Sequence, residues 1–276
     1  MITRKMNGLP LIALLVVGVA VVVLPLLWVI TTALTPSNEP IGSGLFPLHP
    51  STENFRAIFS AGASYPVFSW LVNSIFVSAS AAILVMLIDS LAAFALARLQ
   101  FIGRQVIFYI TLSSLVVPFI ATLVPLYLEF AQLNLLDTYW ALILPYSGNA
   151  FGVFLLYQFF QAIPKELEEV AVLDGATKFK LWGRIFLPLS IPITVTLGLL
   201  TFMAVYNDFF WPLVATTSPP MRTITVGIQI VTVSAFQTNY RLLMAITLVS
   251  VVPMIIAFVA AQRRLVEGIA LTGLNG

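Results

Sequence analysis

The sequence predicts an all-α integral membrane protein with six transmembrane helices, and three observations predict it. Hydrophobic residues fill 60% of the 276 positions and charged residues only 9%, whereas soluble domains carry roughly 25% charge. Mean hydropathy is +1.02, so the apolar surface exceeds what a water-soluble core can hide. Six apolar runs recur along the chain, each near the ~20 residues that cross a bilayer core as a helix. Lipid offers no partner to backbone N–H and C=O groups, so such runs close their hydrogen bonds internally as helices. One transmembrane domain over residues 1–276 is the expectation.

The runs follow in order. Arg4 and Lys5 precede the first, about Leu9 to Leu34, which exceeds the ~7–15 apolar residues of a signal-peptide core and reads as a retained span. Residues 35–66 are rich in Pro, Gly and Ser and read as an external loop, with Asn54, Phe55, Ile58 and Phe59 spaced for a short surface helix. The second span, Phe68 to Ala97, ends at Arg98 and contains Asn73 and Asp89. A carboxylate at mid-membrane costs about 2.5–3.5 kcal/mol, so Asp89 either faces protein or water or lies toward the cytoplasmic end. Arg98 and Arg104 frame the turn into the third span, Val106 to Leu128, which Pro118 and Pro125 are expected to kink or break. The fourth span, Tyr139 to Phe160, is interrupted by Pro145-Tyr146-Ser147-Gly148-Asn149. The fifth runs from Ile191 to Trp211; residues 212–240 form a second external segment; the sixth, Leu242 to Ala261, is expected to stop at Arg263 and Arg264.

Charge gives the orientation. Six spans put both termini on one side, with Arg4, Lys5, Arg98, Arg104, Lys165, Lys178, Lys180, Arg184, Arg263 and Arg264; only Arg56, Arg222 and Arg241 lie opposite. The positive-inside bias places the termini and residues 164–188 in the cytoplasm of a multi-pass plasma or inner-membrane protein.

That cytoplasmic segment concentrates the polarity. Eight of the chain's 13 Lys/Arg and 11 Asp/Glu lie between Lys165 and Pro188. Pro164 suits a helix start, Glu166, Glu168 and Glu169 stand near its positive dipole end, and Leu167, Val170 and Ala171 form one apolar stripe. Gly175 suits the left-handed closure of that helix, after which Thr177 caps a second one. A surface-lying amphipathic helix is the plainer alternative.

Spacing favours the sharper one. Glu169-Val170-Ala171, three residues, Gly175, nine residues, then Ile185-Phe186-Leu187-Pro188 resembles the EAA loop of ABC importer permeases, whose usual form has Ala where Val170 stands. Phe94-Ala95-Leu96-Ala97-Arg98 with Phe101 and Gly103, Leu136 to Pro145, and Tyr206-Asn207-Asp208-Phe209-Phe210-Trp211-Pro212-Leu213 are similar to MalG-like sugar-importer permeases. The resemblance covers about Leu71 to the C-terminus; the first span matches in character only. It implies a type I ABC importer permease fold and a second, MalF-like permease as partner. It also implies two ABC ATPase subunits that hold ATP and Mg, and an extracytoplasmic solute-binding protein. It places Leu167, Glu169, Val170, Ala171, Asp174 and Gly175 at the ATPase, turns residues 212–240 toward the binding protein, and lets the tail after Arg264 reach the ATPase.

Enzymatic chemistry is not expected. The chain lacks a phosphate-cradling Gly-rich loop with Lys-Ser/Thr and has no cysteine, and its single histidine, His49, sits in a Pro-rich loop. No bound cofactor, metal or nucleic acid is therefore expected. Polar and aromatic groups at the interrupted spans are candidates for the solute path: Tyr146, Ser147, Asn149, Tyr206, Asn207, Asp208 and Trp211. Amides and hydroxyls pair with sugar hydroxyls and aromatic faces stack on sugar rings, although Asn and Ser in spans also bond helix to helix. Two competing functions remain: an ABC permease for glycerol phosphate or another non-sugar solute, and an ion-coupled secondary transporter with paired intramembrane charges.

Overall fold

The computed structural model describes residues 8–42, 46–60, 65–235 and 239–273, and every regular element among them is helical. Arg4, Lys5 and the last three residues lie outside them, as do the side chains of Arg263 and Arg264. The chain runs through α1 (Gly8–Leu34), α2 (Glu53–Phe59), α3 (Val67–Arg98), α4 (Arg104–Ser113), α5 (Phe119–Gln132), α6 (Tyr139–Ile143) and α7 (Ala150–Ala162). It continues through α8 (Lys165–Leu173), α9 (Lys178–Leu181), α10 (Leu187–Leu189), α11 (Ile191–Asn207), α12 (Phe210–Ala215), α13 (Ile224–Ala235) and α14 (Tyr240–Gly273).

Three helices are individually long and apolar enough to cross a membrane: α1, α3 and the Tyr240–Gln262 part of α14. Each of the other expected spans is a bent pair. Arg104–Val116 meets α5 at 103°, Tyr139–Tyr146 meets α7 at 43°, and Lys178–Leu189 meets α11 at 80°. Counted as one span each, the pairs complete the expected six.

The breaks have local causes. Val117 is extended (φ −75°, ψ 115°) because Pro118 follows it, and Pro118 is itself extended (ψ 132°) as the cap of α5. Pro125 lies within α5 without ending it. The sequence anticipates a kink or break here; the chain breaks at Pro118 and turns through 103°. In the fourth span Pro145 begins a single 3-10 turn, Leu144–Tyr146, and extended Asn149 caps α7 by accepting the Phe151 N–H at 2.9 Å.

Residues 212–240, read as an external segment, are largely helical: α12, a 3-10 turn at Pro219–Met221 and the apolar α13 occupy most of them. The helix of the sixth span continues past Arg263 and Arg264, where its apolar run stops, to Gly273, since arginine is a good helix former and no Pro intervenes.

The chain forms two compact units, Met1–Phe68 with Gly227–Val252, and Ser69–Val226 with Pro253–Gly276. In the first, the Asn54 side-chain amide donates to the carbonyls of Ala33 (2.9 Å) and Thr35 (3.0 Å), closing the end of α1. The short helix expected around Asn54 is α2, yet Asn54 and Ile58 are buried rather than on its surface. Trp28 and Tyr240 pack edge to face at 6.2 Å, and Arg241 donates to the Glu39 carbonyl.

The second unit holds two apolar clusters. One gathers Phe94, Phe160, Leu181, Trp182, Phe186 and Leu197; the other gathers Val77, Phe130, Leu142, Val205 and Trp211. Small residues bring its helices close. A Cβ on Gly152 of α7 would lie 2.1 Å from Asp89 Oδ2 on α3, and one on Gly198 of α11 would lie 2.6 Å from Met86 Sδ, also on α3. Close helix contact through glycine is a membrane-interior device, because packing there replaces the hydrophobic drive.

Candidate functional site

Residues 164–188 fold as a rigid elbow. Extended Pro164 (ψ 137°) turns the chain into α8, whose opening turn carries Glu166 and Glu168. Gly175 adopts φ +75°, the left-handed region that glycine enters without a Cβ penalty. Its N–H donates to Val172 (3.0 Å) and the Ala176 N–H donates to Ala171 (2.9 Å), the paired closure that satisfies the last carbonyls of a helix. Thr177 Oγ1 then accepts from the Lys180 N–H at 3.4 Å and starts α9. A π-helical turn at Trp182–Phe186 returns the chain to the bundle. The expected helix, glycine turn and helix are all present.

The exposed surface of α8 carries an apolar stripe beside its charges. Leu167 is 45% exposed, Val170 60% and Leu173 87%, while Ala171 turns inward against the Phe160–Phe186 cluster. Glu169 and Asp174 are exposed. The outward stripe is therefore Leu167, Val170 and Leu173, with Ala171 serving its own bundle. A cavity of about 770 Å³ opens beside it, lined by Arg98, Arg104, Gln161, Lys165, Glu168 and Glu169 among others.

The elbow is fastened to α3 at two points. Trp182 Nε1 donates to Ser90 Oγ at 3.3 Å. Arg98, with its side chain only 5% exposed, donates to the carbonyls of Phe160 and Ile163, lies 3.7 Å from a Glu168 oxygen, and sets its guanidinium carbon 5.0 Å from the centre of the Phe186 ring. Sequence reading takes Arg98 as the end of a span, a cytoplasmic charge and the close of a family-like motif; its partners, 62–88 residues away in the chain, are not written locally.

The candidate solute-path residues fall into two groups. Tyr146 donates its hydroxyl to Asp208 Oδ2, and Asp208 Oδ1 accepts from the Phe210 N–H at 3.1 Å, so the fourth-span break and the end of α11 meet. Asn149 follows closely after Tyr146 in sequence, but its backbone N–H donates to Asp89 Oδ1 at 3.1 Å and its side chain caps α7. Asp89 is 1% exposed and so faces protein. Ser147 Oγ donates to its own turn, to Leu144, and exposed Asn207 donates to Met203. Tyr206 is 3% exposed and Trp211 fully buried, with the Trp211 indole N–H on the Ala141 carbonyl at 2.8 Å.

Segment 215–224 is strapped down rather than loose. Asn73 Nδ2 donates to Pro220 (2.6 Å) and Arg222 (3.0 Å) while its Oδ1 accepts from Tyr139; Trp70 Nε1 donates to Pro219 at 2.7 Å. Asp137, itself left-handed at φ 60°, accepts from the Thr217 and Ser218 N–H groups at 3.0 and 3.1 Å. Partial desolvation would raise the Asp137 carboxyl, but the hydrogen bonds from Ser218 and Thr217 outweigh it and hold the group below its ordinary value.

Bent apolar helices of spanning length and composition, with one capped polar elbow that presents an apolar stripe, are the make-up of a membrane component. Residues 89–270 match the family of binding-protein-dependent transport system inner membrane components. The chain is 36% identical to a probable ABC transporter permease protein, YurM, of Bacillus subtilis, over 91% of this chain and 83% of that one. It is 33% identical to the arabinooligosaccharides transport system permease protein AraQ of Halalkalibacterium halodurans, over 95% and 96%. Its fold is similar to that of a solved bacterial ABC transporter involved in import of the acidic polysaccharide alginate, with TM-score 0.82, 19% identity and coverage of 96% and 99%. The chain belongs to the binding-protein-dependent transport system inner membrane component family, and the resemblance read in its loop stands.

Proposed function

We propose that this chain is one of two permease subunits of an ATP-driven importer and forms half of the path for an oligosaccharide or related polyol. The observation that carries the reading is the elbow at 164–188: a capped helix with an exposed Leu167–Val170–Leu173 stripe, closed at a left-handed Gly175. The carbohydrate class rests on likeness to a permease named for arabinooligosaccharides, and the polar cluster at Tyr146 and Asp208 supplies hydrogen-bonding groups beside it.

In this reading α8 sits in an ATPase subunit, with Glu169 and Asp174 meeting basic groups there and the apolar stripe filling its cleft. The termini and elbow are cytoplasmic, in keeping with the positive-inside bias. ATP and Mg belong to the ATPase subunits. The strapped segment 215–224 faces a solute-binding protein. A partner shifts a conformational equilibrium only through differential affinity, and a swing from about 1:99 to 99:1 takes about 5.5 kcal/mol. A capped elbow transmits such a bias, whereas a disordered loop dissipates it.

The test is reconstitution with a second permease, the ATPase and the binding protein, followed by a sugar screen for stimulated ATP hydrolysis. Gly175→Val should leave assembly intact or weakened and abolish stimulated turnover. Nothing crowds position 175, so the strain arises from φ alone. Unimpaired uptake by that variant would refute the reading, and stimulation by glycerol phosphate but by no sugar would redirect the substrate class.

A further inference from the structure

The close of the second span, Phe94 to Arg98, is a motif that the transport reading leaves without a task. Its arginine reaches both ends of the elbow. The carbonyls of Phe160 and Ile163 belong to the last turn of α7 and the residue just before Pro164, where the elbow departs. Phe186 closes the π-helical turn, where the elbow returns, and lies under the same guanidinium. Phe186 is fully buried and packs edge to face on Phe94 at 5.0 Å and Phe160 at 5.5 Å, so the ring cannot follow a wandering cation.

The electrostatics point the same way. A desolvated guanidinium ordinarily seeks a close carboxylate. Here the nearest, Glu168, stands at 3.7 Å and is partly exposed. Beside Glu168, the negative end of α7 supplies a second counter-charge through its last carbonyls. Pairing to backbone makes the contact sensitive to where α7 and Pro164 lie, not to which side chain happens to be near. One terminal nitrogen, Nη2, donates to both carbonyls while Nη1 faces Glu168 and the planar guanidinium lies by the Phe186 ring; the compact ammonium of a lysine does not hold these contacts together.

We propose that Arg98 is the positioning residue of the elbow: it grips residues 164–188 at entry and exit, so that load on α8 turns α3 and α7 with it. The proposal deepens the ATPase-docking reading and rests on it.

The test uses the full complex in lipid nanodiscs, labelled at Ile88→Cys on α3 and Val172→Cys on α8 in one preparation and carrying Leu173→Cys alone for cross-linking in another. All three positions are exposed, and the chain has no cysteine of its own. In the parent complex Leu173→Cys cross-links to an ATPase subunit, and the distance distribution between the labels is narrow. In Arg98→Ala and Arg98→Lys the cross-link persists, the distribution broadens about twofold as the guanidinium is lost, and basal ATP hydrolysis continues without stimulation by the binding protein. Glu168→Gln keeps the distribution narrow, because the carbonyls and the ring remain. Arg98→Lys decides the matter if Arg98→Ala does not assemble. A persistent cross-link with unchanged width and retained stimulation overturns the role of Arg98 alone. No cross-link in the parent overturns the docking reading, and this inference with it.

Discussion

Asp89 of α3 accepts the backbone N–H of Asn149 at 3.1 Å, joining residues 60 apart at the break of the fourth span. Its second oxygen faces Gly152 without a hydrogen-bond partner among the described residues. A side chain 1% exposed within a long apolar helix thus stabilises an amide that the interrupted helix cannot satisfy.

Replacing Asp89 should therefore damage the break rather than the span. Asp89→Asn keeps an acceptor and is expected to be mild; Asp89→Ala leaves the Asn149 amide buried and should cost about 1–3 kcal/mol. Thermal unfolding of the two variants in one detergent separates them, and equal losses would contradict the role.

Gly152→Ala tests the same junction by volume. Its Cβ would meet Asp89 Oδ2 at 2.1 Å and Leu197 at 2.9 Å. Overpacking of this kind typically costs about 1–3 kcal/mol. Gly183→Ala, with nothing near its Cβ, is the control and should unfold close to the parent temperature.

Trp211→Phe separates packing from solute contact. The indole is fully buried, edge to face with Phe130 at 5.5 Å, and its N–H satisfies Ala141. The variant should lose about 1–3 kcal/mol of stability with unchanged ranking among transported sugars. Tyr146→Phe and Asp208→Asn, at the polar junction, should change that ranking or the uptake rate.

Asp137 makes segment 215–224 acid-sensitive. Its folded-state carboxyl titrates below the ordinary value of 3.8, so its contribution is fully present above that value and is lost as pH falls through the depressed one. Hydrogen exchange at Thr217 and Ser218, corrected for intrinsic rate, should stay slow at neutral pH and accelerate only below about pH 4. Asp137→Asn tolerates the left-handed backbone and retains an acceptor, while Asp137→Ala loses both and incurs about 1–2 kcal/mol from φ alone.

Locally written features were legible in the sequence. Pro164, Gly175 and Thr177 each act on the backbone within a turn or two, and the elbow follows them closely. The six apolar runs were equally plain. What escaped depended on distant partners. Pro118 announces a break but not its 103° angle, which α4 and α5 acquire from their surroundings. Trp211 and Tyr206 look like solute-stacking rings because their burial is tertiary. Arg98 read as a topology marker because its carbonyl partners belong to another helix.

The glycine seams at 152 and 198 have a mechanical consequence. With no slack between α3 and either neighbour, sliding or splaying these three rods would open voids that lipid cannot fill. Bending at the joints near Pro118 and Ser190 would leave both seams closed, much as a folding rule bends at its pins and not along its slats.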